Sequence, residues 1–202
     1  MGHVALSVPP DAAGRLRSGE LAVLPTDTVY GIACAAANQS ACARLYALKE
    51  RPLSQATAVM AGSVSELTGA LLPELEARVA DACRILLPGP LTLVVPNPAR
   101  RFPHLCGDTP ERIGVRVPVL NAAVAALTDD VGGILITSAN ERGGPDPATL
   151  EEVPRSLLQA AGFAVDGGIL RGVPSSVIDI TGDEVRVLRA GPGLVQALEL
   201  LR

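Results

Sequence analysis

No stretch of this 202-residue chain approaches the ~20 consecutive apolar residues that span a bilayer; the longest candidates are Leu91–Val95 and Gly133–Ile136 with their flanks. The opening Met1-Gly-His-Val-Ala has no basic segment leading into an apolar run, so no secretory leader is read there. A cytoplasmic protein without a membrane partner is the expectation. Histidine is confined to His3 and His104, which leaves a zinc site or a Ser-His-Asp triad short of residues. Lysine is nearly absent, with Lys49 alone against sixteen arginines. The four cysteines, Cys34, Cys42, Cys83 and Cys106, form no Cys-x-x-Cys pair and have no histidine at metal-ligand spacing. They read as buried thiols in a reducing compartment. Also missing are a Gly-x-x-x-x-Gly-Lys-Ser/Thr loop, a strand–Gly-x-Gly-x-x-Gly–helix and a Gly-x-Ser-x-Gly elbow. Any nucleotide bound here must have its phosphates held by side chains.

What is present is an ordinary globular composition, 48% apolar and 19% charged, long enough for one good core. A net charge of −4 and a pI near 5.2 argue against nucleic-acid binding as the main task. Short β-branched runs alternate with helical patterns, the mark of an α/β or mixed α+β domain. Strands are expected at Leu21–Thr26, Thr57–Ala61, Leu91–Val95, Arg112–Val117 and Gly133–Thr137, the last with the character of a buried central strand. Asn38 is the expected N-cap of a helix over Gln39–Lys49, and Glu74–Leu87 forms an amphipathic helix stopped by Pro88-Gly89-Pro90. Helices are also expected at Asn121–Leu127, from the capping box Thr149-Leu-Glu-Glu152 to Ala161, and at Gly193–Leu200. Val177–Ile180 and Glu184–Leu188 flank Gly182-Asp183, a two-residue hairpin signal. With no repeat or linker, residues 1–202 read as one domain.

Four segments place polar groups at strand ends or tight turns, where function concentrates. Pro25-Thr-Asp-Thr-Val-Tyr-Gly31 reads equally as a turn in which Asp27 bonds its own backbone. Lys49-Glu-Arg-Pro52 sets two cations at a helix C-terminus, where they complement the dipole or converge on a polyanion such as triphosphate. Thr137-Ser-Ala-Asn140 follows the central strand, the place where open α/β sheets bind ligands. Gly172-Val-Pro-Ser-Ser176 and Arg189-Ala-Gly-Pro192 border the last two strands.

In this order, the segments resemble the Sua5/YrdC/YciO family of threonylcarbamoyl-AMP synthases. The resemblance runs from about Leu21 to Gly193. It rests on Pro-Thr-Asp-Thr-Val-Tyr-Gly (25–31), Lys-Glu-Arg-Pro (49–52), Pro-Gly-Pro-Leu-Thr (88–92) and Gly-Val-Arg-Val-Pro (114–118). Thr-Ser-Ala-Asn (137–140), Pro-Ser-Ser-Val-Ile-Asp (174–179) and Leu-Arg-Ala-Gly-Pro (188–192) complete it. It implies a single YrdC-like domain: one twisted, mixed parallel/antiparallel sheet flanked by helices around a deep electropositive cavity, without the extra C-terminal domain of longer Sua5-type members. The implied reaction joins L-threonine, bicarbonate or CO2, and ATP into threonylcarbamoyl-AMP, with Mg2+ as the ion. The product then feeds a separate transferase that modifies adenosine 37 of tRNA.

The resemblance further implies Lys49, Arg51, Ser138 and Asn140 as catalytic and ATP-binding residues, joined at the nucleotide by Gln55 and Arg189. It implies Thr28, Arg116 and Ser175 for threonine, with Asp27 either positioning Mg2+ or the ammonium, or holding the turn. The sequence departs from many relatives at Leu53-Ser-Gln-Ala-Thr57, Met60, Arg112 and Ser176. Two other readings remain: a YciO-type paralogue with another acceptor, and a module of the same fold contacting tRNA or double-stranded RNA through its concave face.

Overall fold

Strand alternation sets the architecture, because successive side chains point to opposite sheet faces. In β5 (Leu91–Pro96) and β6 (Arg112–Arg116), Leu91, Leu93, Val95, Ile113 and Val115 are buried while their even-numbered neighbours are not. The computed structural model describes residues 3–5 and 7–201, so Met1 and Gly2 of the leader reading lie outside it. The remaining strands are β1 (His3–Ala5), β2 (Ala22–Pro25), β3 (Tyr30–Ala35), β4 (Ala58–Met60), β7 (Ile134–Ser138), β8 (Phe163–Val165), β9 (Ser176–Asp179) and β10 (Arg186–Arg189). All ten join in one mixed sheet of order β1-β8-β2-β3-β7-β4-β6-β5-β9-β10. Four neighbouring pairs are parallel (β1–β8, β8–β2, β4–β6, β5–β9) and the other five are antiparallel.

The helices are α1 (Ala12–Arg17), α2 (Gln39–Leu48), α3 (Val64–Glu66, continuing as a π-helical turn to Leu71), α4 (Ala77–Leu86), α5 (Ala122–Val131), α6 (Arg155–Ala160) and α7 (Leu194–Leu200). They cover the two faces unequally. One face carries Val23, Ile32, Val59, Leu93, Val115, Leu135 and Ile178 into a core shared with Leu45 of α2 and Val79 and Cys83 of α4. On the other face, Ala22, Leu24, Ala33, Ile134 and Phe163 pack under Leu16 of α1 and Val124 and Leu127 of α5. That second layer stops at Met60 of β4. Beyond it, β6, β5 and β9 present Gly114, Thr92, Val94 and Val177 to open space, and the site forms there.

Capping follows the sequence where the cap residue is distinctive. Asn38 Oδ1 accepts from the Ala41 amide at 3.0 Å and Asn121 Oδ1 from Val124 at 2.9 Å, and α5 ends on Gly132 in the left-handed region at φ 80°. Other expectations are corrected. The helix expected from Thr149 to Ala161 is two pieces, a 3-10 turn at Leu150–Glu152 and α6, because Pro154 cannot donate within a continuous helix. The two-residue hairpin at Gly182-Asp183 is instead a longer loop. Asp179 Oδ1 accepts from the Thr181 amide at 2.9 Å and its hydroxyl at 2.6 Å, which turns the chain before the pairing can continue. β1, α1, β3 and β8 carry no strand or helix expectation in the sequence reading. The four cysteines are buried free thiols, as expected.

The edge of the helical layer is fixed by a close approach at Gly62, just after β4. Its amide donates to Asp129 Oδ1 at 2.8 Å, and a Cβ there would sit 2.1 Å from the Ala125 carbonyl oxygen of α5. Gly62→Ala must push α5 off the sheet, and overpacking of this kind costs about 1–3 kcal/mol. The expected outcome is a lower urea midpoint with an unchanged slope. A midpoint equal to that of the parent protein would show that α5 does not depend on this contact.

Candidate functional site

The uncovered half-face holds a cavity of about 630 Å³. Its floor is low because Gly114 has no side chain: a Cβ there would lie 3.1 Å from Ala58 of the neighbouring strand. Four arginines, Arg51, Arg112, Arg116 and Arg189, line the cavity against two aspartates, Asp146 and Asp179. Hydroxyls of Thr26, Thr92, Thr137, Ser138 and Ser175 line it too, with an apolar patch of Val29, Met60 and Ile136.

Lys49 and Arg51 owe their positions to the way α2 stops. The Arg51 amide donates to the Tyr46 carbonyl at 2.9 Å and the Glu50 amide to Ala47 at 3.0 Å, the paired bonds of a Schellman stop. Glu50 occupies its left-handed position at φ 47°, where glycine is the usual residue. The chain thereby reverses between the two cations. The Lys49 ammonium donates to Asn140 Oδ1 at 2.8 Å and to the Asn140 carbonyl. Ser138 Oγ donates to the same Oδ1 at 2.9 Å, so a chain of polar groups runs from Lys49 to the cavity wall. Burial pushes the Lys49 ammonium below its ordinary pKa; Asp146 opposes the shift and Arg51 adds to it.

Arg51 lies over the Tyr46 ring at 5.8 Å and donates to the Ala56 carbonyl at 2.6 Å, while its buried Nε has no partner. Arg189 donates through Nε to the Ser175 carbonyl at 2.9 Å and through Nη2 to Ser175 Oγ at 3.1 Å. Thr92 supports that serine at 3.0 Å. Arg116, whose side chain is 12% exposed, donates to Asp27 Oδ1 at 2.6 Å and to Thr28 Oγ1 at 2.7 Å. Burial lowers both Arg51 and Arg116, and the charge of Arg189 lowers each further. Like charges held this close in a partly dry site favour an anionic ligand.

The structure thus brings Arg51, Arg116, Arg189, Ser138 and Ser175 to one cavity, with Lys49 and Asn140 reaching it through Ser138. Thr28 is fully buried behind Arg116. Gln55 is not brought there. Its side chain is exposed, and only its backbone is engaged, accepting from the Tyr46 hydroxyl at 3.1 Å. The sequence reading assigned no role to Asp146, Asp179, Thr92 or Thr26. Arg112 and Asp179 pair at 3.4 Å across the floor, and their even–odd place in β6 and β9 was the available signal. Burial opposes charge on Asp179, but the Thr181 hydrogen bonds and the charges of Arg112 and Arg186 overcome it and hold the carboxyl below its ordinary range.

Both Asp27 carboxylate oxygens are engaged by the protein, Oδ1 by Arg116 and Oδ2 by the Val119 amide at 3.1 Å. Among the described residues no group of three carboxylate, imidazole or thiol side chains is arranged to hold an ion.

Tyr30 anchors the loop that closes over the Thr28 turn. Its hydroxyl donates toward Asp166 Oδ1 (3.0 Å) and the Gly168 carbonyl (2.8 Å) and accepts from the Gly167 amide (2.8 Å). The Gly172 amide then donates to the Thr28 carbonyl at 2.9 Å. Burial pushes the Tyr30 phenol up to about 12, and burial also raises Tyr46. These are the only tyrosines, and there is no tryptophan to mask them. Spectrophotometric titration at the phenolate band is therefore expected to place the native transition above the ordinary pKa of ~10 and to return it there in concentrated urea. A native curve that coincides with the curve in urea would mean that both phenols are open to water, the Tyr30 anchor included.

A mixed sheet with an arginine-lined, hydroxyl-rich cavity on its uncovered half-face defines a binder of polyanions that uses side chains in place of a glycine-rich loop. The family model Sua5_yciO_yrdC, described as telomere recombination, matches residues 15–191. The threonylcarbamoyl-AMP synthase of Chromohalobacter salexigens is 34% identical over 183 residues, covering 86% of this chain and 93% of the relative. The crystal structure of Pyrococcus abyssi Sua5 complexed with L-threonine superposes with a TM-score of 0.81 at 30% identity, over 95% of this chain and 57% of that one. Escherichia coli YciO superposes with a TM-score of 0.82 at 25% identity, over 98% and 99%. The chain belongs to the Sua5/YciO/YrdC family. It spans little more than half the length of the Pyrococcus protein. No helix among the described residues is long and apolar enough to cross a membrane.

Proposed function

We propose that this chain is a threonylcarbamoyl-AMP synthase. It joins L-threonine, bicarbonate or CO2, and ATP, releases pyrophosphate, and supplies the adenylate to a transferase that modifies tRNA. The observation that carries this reading is the single cavity onto which Arg51, Arg116, Arg189 and Ser138 converge, in a chain whose relatives are named for that activity.

Threonine must be a neutral amine to react with CO2, and the resulting carbamate oxygen attacks the α-phosphorus of ATP. Both reactants are anionic, so the protein's work is to hold them in line and stabilise the departing charge. Arg51 and Arg189 take the phosphates, and Lys49 adds a point charge through the Asn140–Ser138 side. Arg116 takes the threonine carboxylate, a planar donor matching a planar acceptor. Val29, Met60 and Ile136 face the threonine methyl, and the nearby Thr137 and Ser175 hydroxyls receive its hydroxyl and amine. Mg2+ would be held mainly by the triphosphate oxygens and would offset charge on the departing pyrophosphate, while Asp27 serves Arg116.

The second reading, a YciO-type paralogue with another acceptor, is favoured by the complete overlap with YciO and by the exposed Gln55. Pyrophosphate release separates the two. Release is expected with ATP, threonine and bicarbonate together and is expected to stop when threonine or bicarbonate is left out. Lys49→Ala should lower turnover by roughly 10²–10³. Release that is indifferent to threonine would assign the chain to the paralogue reading.

A further inference from the structure

Asp27, Thr28 and Arg116 are 88 and 89 residues apart in sequence, yet they form one closed hydrogen-bond unit at the cavity wall. The direction of every proton in it is fixed by one fact: a guanidinium can only donate. Arg116 Nη2 has two hydrogens, one for Asp27 Oδ1 (2.6 Å) and one for Thr28 Oγ1 (2.7 Å). The Thr28 hydroxyl, having accepted, turns its own proton to Thr26 Oγ1 at 3.0 Å. Thr26 in turn donates to the Val29 carbonyl at 2.8 Å and accepts from the Thr28 and Val29 amides at 3.2 Å. The far oxygen of Asp27 takes the Val119 amide at 3.1 Å. The carboxylate therefore ties the arginine to two backbones, the Thr26–Val29 turn and the segment after β6.

This arrangement uses up one nitrogen of the guanidinium and leaves the rest unused. Nε of Arg116 is buried without any partner. A buried charge-bearing donor left unpaired is costly. The Asp27 side chain is 8% exposed, and both of its oxygens are spoken for.

We propose that Asp27 is the positioning residue for Arg116: it fixes the plane of the guanidinium from behind, so that Nη1, the nitrogen that bonds no protein group, is presented to the substrate carboxylate. The inference rests on the reading of Arg116 as the threonine carboxylate clamp and adds a residue that acts only through it. An arginine on a flexible stem loses much of its advantage over lysine unless its plane is fixed, and two acceptors on one nitrogen fix it. Thr28 shares the task through its hydroxyl.

The test is calorimetric binding of L-threonine together with steady-state kinetics on Asp27→Asn, Thr28→Val, Arg116→Lys and the double variant Asp27→Asn/Arg116→Lys. Asp27→Asn keeps an oxygen acceptor but loses the charge. It is expected to weaken threonine binding and raise the threonine KM by roughly 10–100-fold, the scale of one charge-assisted hydrogen bond, with the ATP KM within about threefold. The double variant should be no worse than Arg116→Lys alone, because Asp27 has nothing else to position. Thr28→Val should shift the same constant in the same direction, so the inference stays testable if Asp27→Asn does not fold. Unchanged threonine binding in both Asp27→Asn and Thr28→Val would overturn the positioning role. Additive losses in the double variant would overturn it as well. A shift in Mg2+ requirement with threonine affinity unchanged would return Asp27 to the metal and overturn it. If Arg116→Lys itself leaves threonine binding intact, it is the carboxylate-clamp reading that fails. The weakening by Asp27→Asn then tells whether Asp27 acts by a route of its own.

Discussion

The parity of β6 governs the site. Ile113 and Val115 point into the core while Arg112, Gly114 and Arg116 point into the cavity, and a one-residue slip would exchange the two sets. Burying two guanidiniums without partners would cost far more than any local gain, so the register is strongly specified. It is held from both sides, by β4 in parallel (Ala58↔Gly114, Met60↔Arg116) and by β5 antiparallel (Val94↔Gly114). The Asp27–Arg116 pair then ties this seam to the β2–β3 turn, across the strands that separate them.

The second constraint is the helical layer that covers only part of a face. Among the described residues, α1 and α5 shield the sheet from β8 to β4, and nothing comparable shields β6, β5 and β9 on that side. Such an uncovered half-face normally carries large polar side chains that rise into water. Here it carries Gly114, Ala58, Thr92 and Val94, residues too small to fill the space. Arginines from three separate places in the chain reach in from around them. The cavity exists because the sequence withholds volume on one parity of three strands, while the other parity packs a full core with Leu93, Val115 and Ile178.

The fold was legible where a local rule applied and opaque where tertiary burial overrode it. β5 and β6 alternate cleanly, and Asn38 and Asn121 are strong caps, so these elements could be read from the sequence. β3 could not. All six of its residues, Tyr-Gly-Ile-Ala-Cys-Ala, are buried, so no period of two survives, and glycine and alanine are poor strand formers. β8 has only three residues. At the site, the short motifs pointed to Lys49, Arg51, Ser138 and Asn140, whose contacts begin from local turns. The carboxylate held against Arg116 was visible only as one residue of a turn, because its partner lies far along the chain. Gln55 looked like an amide placed for a ligand. The Arg51–Ala56 bond and the Tyr46 hydroxyl instead use the backbone of that segment and leave the Gln55 side chain outside.

Lys49 stands alone as the chain's side-chain amine, and burial beside Arg51 lowers its pKa. An amine with a depressed pKa is unprotonated, and hence nucleophilic, at milder alkalinity than an ordinary lysine. Its lone pair is also tied to whether the ammonium remains on Asn140. Acylating or reductively alkylating reagents therefore meet one side-chain amine in this protein, and it lies behind the Asn140–Ser138 wall of the arginine-lined cavity. Its rate of modification reports how firmly the ammonium is held on Asn140, without a label engineered into the fold.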